Sequence, residues 1–211
     1  MKRVILYAVL TLLFFTGAYH SFRLAPDGIS YVGPLREVDN HDVVFLADRT
    51  HLSESGERVI EQEIFDELFT MIDEAEQYIL VDFFLFNDFT GVETDTYRQL
   101  SSELTEALIA KKRENPNIAI DVITDPINTF YGGMRSEQLE SLREAGVQVI
   151  LTDLKQLRDS NPVFSAPWRV FVQWFGSNDE GGWLPNPLNP NGQEVTLRSY
   201  LKSLNFEANH R

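Results

Sequence analysis

The first hydrophobic run of the chain lies at its amino terminus. Lys2 and Arg3 precede an uncharged stretch of 15 residues, Val4–Ala18, which reaches 19 residues when it is extended through Phe22. A membrane-spanning helix needs about 20 apolar residues, and the core of a signal peptide is shorter. The pattern predicts a hydrophobic helix over residues 1–22, as a retained signal anchor in preference to a cleaved signal peptide. The basic flank predicts that the rest of the chain lies outside the cytoplasm, or is secreted if the signal is cleaved.

Turn-forming residues follow the hydrophobic helix. Pro26-Asp27-Gly28 and Gly33-Pro34 are turn signals, so residues 23–42 are predicted to be a linker. The apolar run Val43–Leu46 then predicts the first strand of a domain over residues 43–211. Asp48 and His51 come next, and they fit a solvated loop better than a metal or catalytic pair.

Helical and strand periodicities alternate through the middle of the chain. Ile60, Ile64, Leu68 and Ile72 recur every four residues, which predicts a helix over Val59–Gln77. The acidic residues on its opposite side fit a solvated surface better than a metal site. Further helices are predicted over residues 96–112 and from a cap at Ser136 to Gly146, and further strands over Tyr78–Phe86, Ile118–Thr124 and Val147–Leu151.

This order of strand, helix, strand, helix, strand predicts the fold class. The connections are long enough for crossover helices, so we expect an α/β fold with a three-layer α-β-α arrangement and a mostly parallel sheet. The strand Tyr78–Phe86 is almost continuously apolar, as expected for a strand that is covered on both faces. A fold class of this kind does not by itself predict a function.

Two carboxylates stand on or beside the predicted strands. Asp82 interrupts an apolar strand, where a carboxylate needs a partner or a water-filled pocket. It fits a group beside an active site and a hydrogen-bonding residue of the strand equally well. Asp125 ends the next strand, at the edge where α/β proteins place ligand sites. Gly132-Gly133 in the loop that follows is too short a glycine signal to predict a phosphate cradle.

Residues 152–196 have a different character, with five prolines and all three tryptophans of the chain. Arg169 is the lone charge between Asp159 and Asp179. Such a segment indicates a membrane-facing or acyl-chain-facing surface, although rings packed over the sheet edge are favoured for most of the aromatics. A long irregular loop over residues 181–192 resembles a lid. The helix predicted over residues 195–204 carries Arg198 and Lys202 on one side, either facing a phosphate or simply exposed.

Composition and charge narrow the function classes. The formal net charge is -14, with 32 acidic and 18 basic residues, and this disfavours a broad nucleic-acid-binding surface. We therefore expect no nucleic acid partner. The absence of cysteine excludes disulfides, thiolate metal sites and cysteine nucleophiles. The sequence predicts neither a metal site nor a cofactor.

The last residues carry a resemblance to a known family. Asn209-His210-Arg211 resembles the opening of the His-x-Lys-x4-Asp signature of the phospholipase D superfamily. Two further features match that family, the apolar N-terminus and the strand sequence ILVDFFLFND of residues 79–88. With them, residues 43–211 resemble an incomplete N-terminal repeat of bacterial cardiolipin synthases and phospholipase D-like proteins. The Lys and Asp of the signature would fall beyond Arg211.

The resemblance implies a function in phospholipid metabolism. It implies a phosphodiesterase or phosphatidyltransferase at a bacterial-type membrane, which acts on phospholipids through a phosphohistidine intermediate and needs no cofactor. His210 would be the nucleophile or its counterpart acid. Asn209, Asp82 and Asp125 are the substrate-binding residues expected from it. The second catalytic half is missing from this chain, so the 211 residues alone are expected to be inactive. The alternatives are a phospholipase D-like nuclease and a non-catalytic, membrane-tethered α/β binding module.

Overall fold

A computed structural model describes residues 1–28, 31–89 and 98–204 of the chain. The helices are α1 (Lys2–Phe22), α2 (Glu63–Glu74), α3 (Leu100–Glu114), α4 (Glu137–Glu144), α5 (Pro162–Pro167) and α6 (Leu197–Ser203). The strands are β1 (Asp48–Leu52), β2 (Arg58–Gln62), β3 (Tyr78–Phe83), β4 (Ala119–Thr124) and β5 (Gln148–Leu151). A π-helical turn, Trp168–Val172, continues α5. Asn209 and His210 lie outside the described residues.

The central sheet holds β3, β4 and β5 side by side in chain order, and both pairings are parallel. Val81 of β3 pairs with Val122 of β4, which in turn pairs with Val149 of β5. The predicted mixed α/β class with a mostly parallel sheet and an N-terminal apolar helix is confirmed. Strand ends differ from the prediction by a few residues, as is usual for boundaries set by local fraying.

The helices of the body share one face of this sheet. Leu104 and Leu108 of α3 and Leu139 and Leu142 of α4 form one buried cluster with sheet residues that include Val122. Each new strand joins the sheet on the same side of the one before it, and right-handed crossovers then place both helices on the same face. The opposite face leaves Tyr78 and Leu80 exposed. The predicted third layer is not confirmed within the described residues.

An antiparallel hairpin precedes the central sheet and corrects two predictions. β1 and β2 pair from Asp48 with Gln62 to Leu52 with Arg58, around a turn in which Gly56 has a φ of 81°. The helix predicted from Val59 therefore begins only at Glu63. Val59 and Ile60 are β-branched and favour a strand once a turn brings a partner strand alongside. The strand predicted at residues 43–46 is absent there, because the hairpin strand begins at Asp48.

The N-terminal helix is long and apolar enough to cross a membrane or to act as a signal anchor, and only a small part of it is buried in the protein. Its carboxyl-terminal half packs on α5. A Cβ placed on Gly17 would lie 3.6 Å from Cβ of both Pro162 and Ala166, so the small residue lets the two helices approach closely. The backbone N–H of Asp159 donates to the carbonyl of His20 at 2.9 Å. α1 is thus attached to the domain along its last two turns.

Candidate functional site

A cavity of about 780 Å³ lies where α1 meets the carboxyl end of the central sheet. Its walls come from α1, from the segment after β5, from the π-helical turn and from α6. Ligand sites of parallel α/β sheets lie at this edge, outside the carboxyl ends of the strands. The cavity is the candidate site because it combines this position with the chemistry described below.

One face of α1 forms a whole wall of the cavity. Leu12, Thr16, His20 and Arg23 all line it, and their spacing of three and four residues places them on one side of a helix. At 1.5 Å per residue, Leu12 and Arg23 are about 16 Å apart along the axis. The wall therefore changes from apolar at Leu12 to cationic at Arg23 over about 16 Å.

Basic side chains gather at the other walls. The lining contains Lys155, Arg169, Arg198 and Lys202 in addition to Arg23, against a single carboxylate, Asp153. This local excess of positive charge occurs in a chain whose net charge is -14. A concave surface with several cations attracts anions, and Arg and Lys bind phosphate oxygens through charge-assisted hydrogen bonds.

Aromatic rings hold the Lys202 side chain in place. Its ammonium lies 5.1 Å from the centroid of the Trp168 ring and 6.0 Å from that of Tyr131. Cation–π contacts of this kind contribute about 0.5–1 kcal/mol at accessible sites. Arg23 is fixed in another way, because its guanidinium donates to the backbone carbonyls of Lys155 and Leu157. Both cations are therefore oriented by the protein.

A hydroxyl cluster positions α6 over the loop that follows β4. The side chain of Thr196 caps α6 by accepting the Ser199 N–H at 3.3 Å. Ser177 Oγ lies 3.0 Å from Thr196 Oγ1 and 2.9 Å from Ser199 Oγ. Gly133 lies against the same serine, since a Cβ built there would be 2.6 Å from Ser199 Cβ. Close packing at this point determines where Arg198 and Lys202 project.

An ion pair supports the cavity wall from behind. Arg169 donates to both carboxylate oxygens of Asp159, at 2.5 Å and 2.6 Å, and the Asp159 side chain is 4% exposed. Burial raises the pKa of Asp159, but the hydrogen bonds and the charge of Arg169 lower it more. The pKa of Asp159 consequently lies below its ordinary value of 3.8, and the carboxylate stays ionised at neutral pH.

A buried asparagine organises the carboxyl ends of β3 and β4. Asn128 is fully buried; its amide donates to the Phe84 carbonyl at 2.9 Å and to Thr124 Oγ1 at 2.7 Å. Its side-chain oxygen accepts the Phe86 N–H at 2.8 Å. These bonds replace sheet pairing where the two strands have ended. Nothing in the sequence pattern singles Asn128 out, because its partners Phe84 and Phe86 on the β3 side are more than 40 residues away.

The residues expected at the site are placed differently. Asp82 is exposed on the open face of β3 and is not part of the cavity wall. Asp125 is fully buried and accepts the Ile127 N–H at 2.8 Å, which caps a short 3₁₀ turn over residues 126–129. The structure does not bring the two together in the cavity. Their roles in substrate binding, and those of Asn209 and His210, stay predictions.

Arg198 and Lys202 of α6, for which the sequence left open whether they face a phosphate or are simply exposed, both line the cavity. Sequence reasoning missed Arg23, Lys155 and Trp168. A signal for Arg23 was present in its spacing from Leu12, Thr16 and His20, which places a cation at the end of one stripe of α1. Lys155 and Trp168 lie in segments without periodicity, so no comparable signal exists for them.

Comparison of the chain with models of protein families, with curated proteins and with solved structures finds no match. The phospholipase D resemblance therefore depends on the residues quoted for it.

Proposed function

We propose that this chain is a membrane-tethered, phospholipase D-like protein that takes a membrane phospholipid into the α1 cavity. The observation that carries the proposal is the change from apolar Leu12 to cationic Arg23 along the α1 wall. With the apolar run of α1 in a bilayer, Leu12 is at acyl-chain depth and Arg23 is at the level of the head groups. The cationic end then receives the phosphate and the apolar end receives part of an acyl chain.

A retained anchor fits this arrangement better than a cleaved signal. Cleavage after Ala18 would remove Leu12 and Thr16 from the cavity wall and would break the contact of Gly17 with α5. The basic residues Lys2 and Arg3 favour an orientation with the amino terminus in the cytoplasm. The domain and its cavity would then act on the outer leaflet of the membrane.

The reaction proposed is phosphodiester hydrolysis or phosphatidyl transfer. His210 would attack phosphorus, the bond from phosphorus to the leaving alcohol would break, and a second histidine supplied by the other catalytic half would protonate that alcohol. Water or an incoming alcohol would then release the phosphatidyl group from His210. Lys202 precedes His210 by eight positions in the sequence, so the α6 residues of the cavity belong to the stretch that leads into the motif.

Binding is tested with the full chain in a mild non-ionic detergent. Dihexanoyl phosphatidylglycerol is titrated in, and the heat of binding or the change in tryptophan fluorescence is measured. Each of Arg198→Gln and Lys202→Gln is expected to weaken binding about tenfold, because a hydrogen bond to a charged group contributes roughly 1.5 kcal/mol or more. Arg143→Gln, on α4 and outside the cavity wall, is the control and should bind as the unaltered chain does. Equal affinities for all four proteins would refute the cavity as the phospholipid site.

Catalysis is tested separately. The coding sequence downstream of Arg211 should encode Lys two positions after His210 and Asp seven positions after it. Other residues at those positions would exclude the phospholipase D reaction and leave the non-catalytic binding module. If they are present, a protein extended through both catalytic halves should release the alcohol of a labelled phosphatidylglycerol, and His210→Asn should abolish that release.

A further inference from the structure

The contact between α1 and α5 sets the depth of α5 relative to a bilayer. Gly17 packs on Pro162 and Ala166 and lies five residues before Phe22, the end of the apolar run. That spacing corresponds to about 7.5 Å along the helix axis. Amphipathic segments that lie in the membrane interface bury their apolar side roughly 5–10 Å deep. With α1 embedded, as the proposed function has it, α5 is held at interfacial depth.

The surface of residues 162–175 is apolar where it faces away from the protein. Val163 is 84% exposed and Trp174 is 76% exposed, and Phe171 and Phe175 are exposed as well. Large apolar side chains concentrated in one short segment mark a contact surface, whereas single ones scattered over a protein do not. Tryptophan in particular is enriched where a membrane meets water.

The charges of the same segment suit an environment of low dielectric constant. No acidic residue occurs from Ser160 to Asn178. Arg169, the one cation, is paired with Asp159 through two hydrogen bonds, so its charge is compensated inside the protein. The indole N–H of Trp174 donates to the Val170 carbonyl at 3.1 Å. Insertion of this surface into lipid therefore leaves neither of these charged or polar groups without its partner.

From these observations we infer that residues 162–175 form a second membrane-contact element, here called the interfacial segment, which inserts Val163, Phe171, Trp174 and Phe175 into the leaflet next to the carboxyl end of α1. The partner is a lipid bilayer, because the apolar surface of the segment adjoins a helix whose own apolar surface is long enough to cross one. The interfacial segment would hold the mouth of the cavity at the membrane surface and fix the tilt of the domain. It requires α1 in the bilayer but does not require the cavity to bind phospholipid.

The experiment uses single cysteine substitutions, which the cysteine-free chain allows without background labelling. Val163→Cys and Phe171→Cys report on the interfacial segment. Phe14→Cys, exposed on α1 away from the cavity, reports on insertion of the anchor. Met71→Cys, an exposed apolar position on α2, is the matched control. Each protein is labelled with nitrobenzoxadiazole and reconstituted into phosphatidylcholine vesicles with and without lipids that carry a nitroxide quencher near the head group.

The expected result is blue-shifted emission and strong quenching at Val163 and Phe171, with aqueous emission and little quenching at Met71. Lipid-like emission at Phe14 together with aqueous emission at Val163 and Phe171 would overturn the interfacial segment while leaving the anchor in place. Aqueous emission at all positions would overturn both. The affinity of the Arg198 and Lys202 variants for short-chain phospholipid in detergent does not enter this result, so failure of the two proposals can be told apart.

Discussion

Replacing Arg169 by methionine tests how strongly the ion pair behind the cavity supports the fold. The change keeps much of the side-chain volume but leaves the Asp159 carboxylate, 4% exposed, without its bidentate partner. Removing one partner of a buried pair costs roughly 3–5 kcal/mol, and we expect about 3 kcal/mol because Arg169 itself is 18% exposed. Asp159→Asn should cost less, since the guanidinium left behind can turn toward solvent.

The pair is best measured as a double-mutant cycle. Arg169→Met/Asp159→Asn should be less destabilised than the sum of the single changes, with a coupling free energy of roughly 1–3 kcal/mol. Denaturant unfolding in mild detergent, followed by tryptophan fluorescence, gives the four free energies of unfolding. Arg135→Met is the control, because Arg135 is half-exposed and its Nε lies 3.3 Å from Asp179 Oδ2. Exposed ion pairs of this kind contribute at most about 1 kcal/mol to stability.

The pH dependence of the same cycle gives an independent check. Because the folded-state pKa of Asp159 is lowered, the pair stabilises the fold fully above the ordinary value of 3.8 and loses that contribution as the pH falls through the lowered value. The free-energy gap between the unaltered chain and Arg169→Met should therefore narrow below about pH 4. A gap under about 1 kcal/mol at pH 7, or a coupling free energy near zero, would refute the structural role assigned to the pair.

Two further substitutions test the packing that shapes the site. Gly133→Ala should destabilise the fold by about 1–3 kcal/mol, because the new Cβ meets Ser199. The control Gly176→Ala places a Cβ that meets nothing within 4 Å, and it should be neutral in the same thermal unfolding assay. Equal melting temperatures for the two variants would contradict the close approach of Gly133 to Ser199. Asn128→Leu should lower the free energy of unfolding by roughly 2–4 kcal/mol, because it removes the acceptor of the Phe86 N–H and the other hydrogen bonds of the Asn128 amide. Hydrogen exchange of the Phe86 amide should become faster. Unchanged exchange would show that Phe86 N–H does not donate to Asn128.

Local signals were enough to predict the elements of the parallel body. Ser136 caps α4 by accepting the Leu139 N–H, as its position before an apolar stripe predicts. Short apolar runs between helical stripes predict the strands β3, β4 and β5. All of these signals act within a few residues, which is the range over which a sequence pattern can be read.

The hairpin and the placement of the described helices on one face of the sheet were decided by pairing between distant or ambiguous segments. Val59 and Ile60 satisfy the helical stripe of α2 and also β2, and the choice depends on the partner strand β1. The strand order is equally non-local. A sheet built in chain order with one hand of crossover collects its helices on one side, and no periodicity within a single strand reports that order.

The cavity depends on contacts between segments that are far apart in the chain. Its α1 wall and its π-helical wall are joined where Gly17 meets Ala166, almost 150 residues apart in the chain. The sequence predicted an anchor for the first segment and left a membrane-facing surface as one of two interpretations for the second, but it could not predict that they pack together. Arg198 and Lys202 were left open for the same reason, since which way a short helix faces is decided by its neighbours.

The open face of the central sheet affects how the chain can be handled in solution. β3 is one of the two edge strands of its three-stranded sheet, with Tyr78 and Leu80 exposed beside Asp82 on the uncovered surface. Its pairing with β4 joins residues 41 positions apart, Tyr78 with Ala119, and parallel pairing of this kind forms slowly. In a half-folded chain the unpaired edge of β3 can therefore pair with another chain and begin aggregation. We expect the charges of Asp82 and Asp121 to oppose such pairing. Replacing both aspartates by asparagine should therefore lower the refolding yield at neutral pH.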